Sequence, residues 1–287
     1  MPYTPRRSVL YMPGSNARAL EKARSLDADV LILDLEDAVA PDQKEAAREQ
    51  VKAAVLEGGY GKRQLVVRVN GFDTPWGRAD IQAFATLPVS ALCLPKVESA
   101  AEVHAVVQVL QSAGAPSELK LWAMAETPRG ILRVEEVAAA HPRMAALVLG
   151  TSDLAKDLRV PHTPSREGLL FSLSRCVAAA RAEGLDVFDG VHLDLDDEAG
   201  FARSCQQGVE LGFDGKTLIH PKQIAPANQY FSPSAEQLAR AEKIVAAWDQ
   251  ARQAGKGVVL VDGKLVESLH VEEAQRVMDI GRAIGLI

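Results

Sequence analysis

Short apolar runs alternate with amphipathic stretches along most of this chain. Eight runs are rich in β-branched or aliphatic residues: 8–12, 30–33, 65–69, 91–94, 120–124, 145–149, 186–191 and 217–219. Between them lie segments such as 17–26, 43–56 and 100–112, where apolar residues recur at helical spacing among Ala, Glu and Arg. Continuous apolar strands alternating with amphipathic helices indicate a parallel sheet covered on its outer face. Eight such units predict an α/β fold, a closed (β/α)₈ TIM barrel rather than an open sheet.

The pattern continues past the eighth unit. Residues 234–253 read as a long amphipathic helix opened by a Ser234 cap. A short strand at 258–261 runs into Asp262-Gly263, a strong tight-turn signal, and a last helix is expected over 271–284. A barrel closed by eight strands has no edge to accept this hairpin. The expected division is therefore a catalytic barrel over 1–231 and a C-terminal helical and hairpin extension over 232–287, packed on the barrel or on a neighbouring subunit.

Composition narrows the class. A chain of 287 residues with 47% hydrophobic and 24% charged residues suits one large enzyme domain. A net charge of −6 argues against a nucleic-acid or membrane-binding surface. No apolar run approaches a membrane span, and the first seven residues lack the apolar core of a secretory signal, so a cytoplasmic location is expected. Cys93, Cys176 and Cys205 are scattered, which reads as buried thiols rather than a disulfide or zinc site.

The chemistry sits just after the apolar runs. Arg68-Val69-Asn70, Ala125-Glu126-Thr127 and Thr151-Ser152-Asp153 follow three different strands, so a cation and two carboxylates reach one barrel mouth. Glu126 and Asp153 together suit a hard dication such as Mg²⁺, and Arg68 adds fixed charge for an oxyanion. Taken singly, Glu126 reads equally well as a salt-bridge partner and Asp153 as a helix cap. Asp34-Leu35-Glu36-Asp37 places acidic residues beyond the second strand, where they can orient Arg68 or hold metal-bound water. Arg7 and the N–H groups of Gly14 and Ser15 form a candidate anion site at a helix start, against the plainer reading of a βα loop. His220 reads as a structural hydrogen-bonding residue, and Lys216 and Lys222 as weak candidates for phosphate contacts. No nucleotide-binding glycine motif occurs.

These segments, in this order and from Arg7 to about Gln275, resemble the citrate lyase β-subunit-like family, which includes malyl-CoA and citramalyl-CoA lyases. The resemblance implies a Mg²⁺-dependent barrel enzyme assembled as trimers or hexamers. It implies reversible carbon–carbon cleavage of a thioester such as malyl-CoA or citramalyl-CoA into an α-keto acid and acetyl-CoA. By the same resemblance the metal ligands fall on Glu126 and Asp153, the oxyanion arginine on Arg68 and the acidic pair on Glu36 and Asp37. Substrate contacts would come from Arg7, Gly14, Ser15, Arg68 and Glu126. Family members carry an acid/base Asp after the C-terminal turn, reaching a neighbouring subunit's site. This chain has Glu267 there, with Asp262 nearby as the substitute. Two other outcomes fit the same pocket: hydrolysis of a malyl-CoA-type thioester, and the citrate lyase β-subunit reaction on an acyl-carrier-protein thioester.

Overall fold

The computed structural model describes residues 3–253, 255 and 257–287; Met1, Pro2, Ala254 and Lys256 lie outside it. Eight parallel strands close into a barrel in chain order. They are β1 (Ser8–Pro13), β2 (Val30–Asp34), β3 (Gln64–Arg68), β4 (Ala91–Leu94), β5 (Lys120–Ala125), β6 (Met144–Leu149), β7 (Asp186–Asp189) and β8 (Gly215–Leu218). Closure is made by β1 against β8, with Ser8, Val9 and Leu10 in register with Lys216, Thr217 and Leu218. The expected eight-stranded barrel is thus the observed one.

Side chains of successive residues on a strand face opposite ways, and both directions here are apolar. Val9, Ile32, Val66, Cys93, Trp122, Val148 and Phe188 fill the barrel interior. Trp122 and Phe188 stack there with ring centroids 4.9 Å apart. The intervening Leu10, Leu31, Leu33, Leu92, Leu121 and Leu147 are also buried, under the outer helices. Those helices are α1 (Ala17–Ala23), α2 (Lys44–Glu57), α3 (Gly77–Phe84), α4 (Ala100–Ser112), α5 (Pro128–Leu132) and α6 (Val134–Ala138). They continue with α7 (Thr151–Leu158), α8 (Leu170–Ala182), α9 (Glu198–Leu211) and α10 (Ile224–Tyr230). The run read as a strand over 186–191 stops at Asp189. That side chain is wholly buried, paired with Arg166 and Lys216, and the strand does not continue past it.

The chain divides into two compact units, Arg6–Asn228 and a second formed by the residues from Gln229 onward with the N-terminal residues 3–5. The second unit contains α11 (Ala235–Gln253), the antiparallel pair β9 (Val259–Val261) and β10 (Lys264–Val266), and α12 (Ser268–Ala283). Ala241, Ile244, Val266 and Ala274 form its small core. Gly281 lets α12 close on α11, since a Cβ there would lie 2.6 Å from Leu238 Cδ2. The last helix begins at Ser268 rather than 271 because Glu267 and His270 form a reciprocal cap. Among the described residues no helix is long and apolar enough to cross a membrane, and Cys93, Cys176 and Cys205 are buried free thiols.

Candidate active site

Asp34 ends β2, Arg68 ends β3, and the two are in register. The Arg68 guanidinium donates from Nε (2.7 Å) and Nη2 (2.6 Å) to the two oxygens of Asp34. Those oxygens also accept the N–H groups of Glu36 and Ala38, which wraps the loop after β2 around the ion pair. Arg68 Nη1 is turned to Glu36 (3.0 Å) and Asp37 (3.4 Å), and the Tyr11 ring lies 4.8 Å from the guanidinium carbon. Asp34 and Arg68 are both nearly inaccessible. A buried guanidinium without such partners would be strongly destabilising. Here Asp34, not separately assigned from the sequence, fixes its orientation, and Glu36 and Asp37 meet the outer edge.

Glu126, immediately after β5, is buried to 3% exposure. Its Oε1 accepts the Lys96 N–H at 2.8 Å, and its other oxygen lies against Gly150. A Cβ on Gly150 would overlap that carboxylate, so the glycine at the end of β6 makes room for it. Gly150 then starts α7, and Asp153 falls in that helix's first turn, where the dipole favours a carboxylate. Arg68, Glu126 and Asp153 line one cavity of about 310 Å³, together with Tyr11, Asp34 and Asp37. The three strand-end segments therefore converge.

Lys96 completes the cluster and was missed by the sequence reading. It follows β4 in a left-handed backbone conformation, φ 51°. Its Nζ reaches Glu36 (2.9 Å) and Asp153 (3.4 Å), while its own N–H holds Glu126. Lys44, buried on α2, donates to the carbonyls of Leu35 and Glu36 and pins the acidic loop from behind.

Burial pushes the Glu126 carboxyl up to about 7, against the Lys96 N–H and the charge of Arg68. Burial likewise raises Glu36, opposed by Arg68 and Lys96. For Asp37 burial is outweighed by Arg68, Glu36 and Lys96, so its carboxyl lies below the usual range. Five carboxyls (Asp34, Glu36, Asp37, Glu126, Asp153) gather with three cations (Arg68, Lys44, Lys96). The unbalanced charge of the fully ionised cluster matches one dication. Among the described residues no group of three or more His, Cys, Asp or Glu forms a closed metal cage. A two-carboxylate oxygen set with a Gly-cleared carboxylate fits an ion that retains water, as Mg²⁺ does, and not zinc.

Several expectations need correction. Arg7 precedes β1, so it lies at the opposite rim of the barrel, where its side chain and N–H bind Asp29 at 2.8–2.9 Å. It cannot help an anion at the mouth. The Gly14 N–H donates to the Asp34 carbonyl at 2.8 Å, so it is committed to the β1–β2 packing; Ser15 is exposed, and Asn16 caps α1. Lys216 is fully buried on Asp189 and cannot reach a phosphate, whereas Lys222 is on the surface beside Asp196. His220 has the structural role expected, accepting the Lys222 N–H at 3.1 Å in a cap shared with Gln223. Glu267 caps α12, and Asp262 in the hairpin turn pairs with Lys243 at 3.5 Å.

A parallel barrel with an arginine and carboxylates gathered at its mouth has the layout of a barrel enzyme. The chain belongs to the HpcH/HpaI aldolase/citrate lyase family, whose model matches residues 7–221. It is 48% identical to a (3S)-malyl-CoA thioesterase of Cereibacter sphaeroides, over 98% of this chain and 96% of that one. It is 36% identical to the citrate lyase subunit beta of Leuconostoc mesenteroides subsp. cremoris, over 98% and 95% respectively. Among solved structures it is similar to CitE of Mycobacterium tuberculosis in complex with magnesium, acetoacetate and coenzyme A. That match has a TM-score of 0.77 and 32% identity, covering 96% of this chain and 97% of that chain.

Proposed function

We propose that this protein is a Mg²⁺-dependent enzyme that hydrolyses a malyl-CoA-type thioester, releasing CoA and the free hydroxy acid. The observation that carries the reading is the convergence of Arg68, Glu126 and Asp153 on one cavity. Glu126 and Asp153 would hold the ion, which when bound supplies Lewis-acid polarisation of substrate oxygens. Arg68 presents a fixed guanidinium, braced by Asp34, to the negative charge that develops on the thioester oxygen. Glu36, held between Arg68 (3.0 Å) and the Lys96 ammonium (2.9 Å), is the candidate base for the attacking water. Asp37, held ionised, meets the outer edge of the Arg68 guanidinium at 3.4 Å. Water adds to the carbonyl carbon, the C–S bond breaks, and the thiol leaves with the proton.

Carbon–carbon cleavage to an α-keto acid and acetyl-CoA is the second reading, supported by the citrate lyase relatives. It needs a carboxylic acid to protonate the enolate carbon. The candidates for that role are Glu267 and Asp262 of a neighbouring subunit, and the relatives at 48% identity are named as thioesterases, which favours hydrolysis. Incubation with Mg²⁺ and (3S)-malyl-CoA should yield malate and CoA by mass spectrometry. Glyoxylate and acetyl-CoA would establish the lyase reading instead, and turnover confined to a carrier-protein thioester would establish the citrate lyase β-subunit reaction. A trimeric or hexameric assembly belongs to the same proposal and is read by light scattering.

Ion binding carries its own pH signature. A dication takes the ionised form of Glu126, whose carboxyl in the metal-free protein titrates at about 7. Apparent Mg²⁺ affinity should therefore weaken about tenfold from roughly pH 8 to pH 6. Calorimetric titration showing a flat profile over that range would remove Glu126 from the ligand set.

A further inference from the structure

One residue ties three carboxylates of this cluster, and its side chain is a cation. Lys96 ties Glu126 through its main-chain N–H and ties Glu36 and Asp153 through its ammonium. Its left-handed backbone is costly for a residue with a Cβ and is maintained only where the surroundings over-determine it. In this conformation a single residue serves all three carboxylates at once. The ammonium also stands beside one of the two carboxylates that the proposed ion requires.

We infer that Lys96 is the resident counter-ion of the dication site, holding Glu36 and Asp153 in the metal-free protein and surrendering Asp153 when a dication enters. This rests on the Glu126–Asp153 metal reading and extends it to a residue that acts on the ion without coordinating it. Two consequences follow from Coulomb's law. The ammonium repels the incoming ion, so it lowers dication affinity and keeps binding reversible. It also spares the metal-free protein an uncompensated carboxylate cluster, so the apo form stays folded and the site stays open. Displaced from Asp153, the ammonium keeps its other partner, Glu36, which lies 2.9 Å away in the metal-free protein.

The test is Mn²⁺ binding followed by electron paramagnetic resonance, with Mg²⁺ competition, on wild type, Lys96→Asn, Lys96→Arg and Glu126→Gln. Asn tolerates the left-handed conformation, so it removes the ammonium while retaining the N–H on Glu126. Lys96→Asn should bind Mn²⁺ roughly tenfold tighter or more, and Lys96→Arg should stay near wild type. The rise in melting temperature on adding saturating Mg²⁺ should be larger in Lys96→Asn than in wild type. Unchanged or weaker Mn²⁺ affinity in a folded Lys96→Asn protein overturns the counter-ion role. If Lys96→Asn does not fold, Lys96→Gly, which removes the backbone penalty as well, gives the same reading. The metal reading fails separately: Glu126→Gln would then bind Mn²⁺ as tightly as wild type.

Discussion

Replacing Glu126 by Gln should remove dication-dependent turnover by about a thousandfold or more while making the metal-free protein more stable above neutral pH. The first effect follows from losing one of two carboxylate ligands, since Lewis-acid polarisation is worth several kcal/mol of the barrier. The second follows from burial. Glu126 is 3% exposed, and its carboxyl is raised from 4.5 to about 7. Between those values the native state keeps a proton that the unfolded chain has released. Stability associated with this group is therefore present below pH 4.5 and lost as pH rises through 7. Fully ionised, the carboxylate costs about 3 kcal/mol. Gln is isosteric, can still accept the Lys96 N–H through its amide oxygen, and carries no charge. Melting curves in EDTA at about pH 8 should place Glu126→Gln above wild type, and at about pH 5 the two should converge. A variant less stable than wild type at both pH values would show that this carboxylate is a structural partner rather than a strained ligand.

That trade of stability for chemistry also explains which parts of the site were legible in the sequence. Arg68, Glu126 and Asp153 stood out because each charged residue follows an apolar strand, where a barrel places side chains at its mouth. The same rule applied to Leu94-Pro95-Lys96 would have found Lys96. Nothing local sets it apart, since a lone lysine after a proline also fits an ordinary solvated turn. Arg7 was misplaced although strand direction decides its position: a residue before β1 faces the opposite rim, and its partner Asp29 stands just before β2. Gly14 was read as a source of free N–H groups. Its N–H is bound to Asp34, and a Cβ there would lie 2.6 Å from that same carbonyl, so close backbone approach is the reason for the glycine. Continuous apolar strands made all eight barrel strands visible. What periodicity could not show was which polar residues pair across the outer face of the barrel, because those partners lie far apart in sequence.

Lys216 is the clearest of these, and replacing it by Met should cost about 3 kcal/mol, a fall of roughly 10 °C in melting temperature. Lys216 and Asp189 are both fully inaccessible, with Nζ 2.8 Å from Asp189 Oδ2 and 2.6 Å from the Gly190 carbonyl. Arg166, also in a left-handed conformation, donates to both Asp189 oxygens at 2.7 and 2.8 Å. Burial opposes ionisation of Asp189, yet Lys216 and Arg166 outweigh it and hold its carboxyl below the ordinary range. Methionine fills the same space but leaves the Asp189 charge with one cation in place of two. The further change Asp189→Asn should then recover part of the loss, because the penalty is an uncompensated charge rather than a cavity; calorimetry on the single and double variants separates the two. A Lys216→Met protein within about 1 kcal/mol of wild type would mean that Arg166 alone satisfies Asp189. The consequence reaches the mouth of the barrel. Thr217, next to Lys216, lines the Arg68–Glu126–Asp153 cavity and donates its hydroxyl to the Asp189 carbonyl at 2.9 Å. The triad thus fixes the ends of β7 and β8 from outside the barrel, and loosening it should raise KM for the thioester even at temperatures where the variant remains folded.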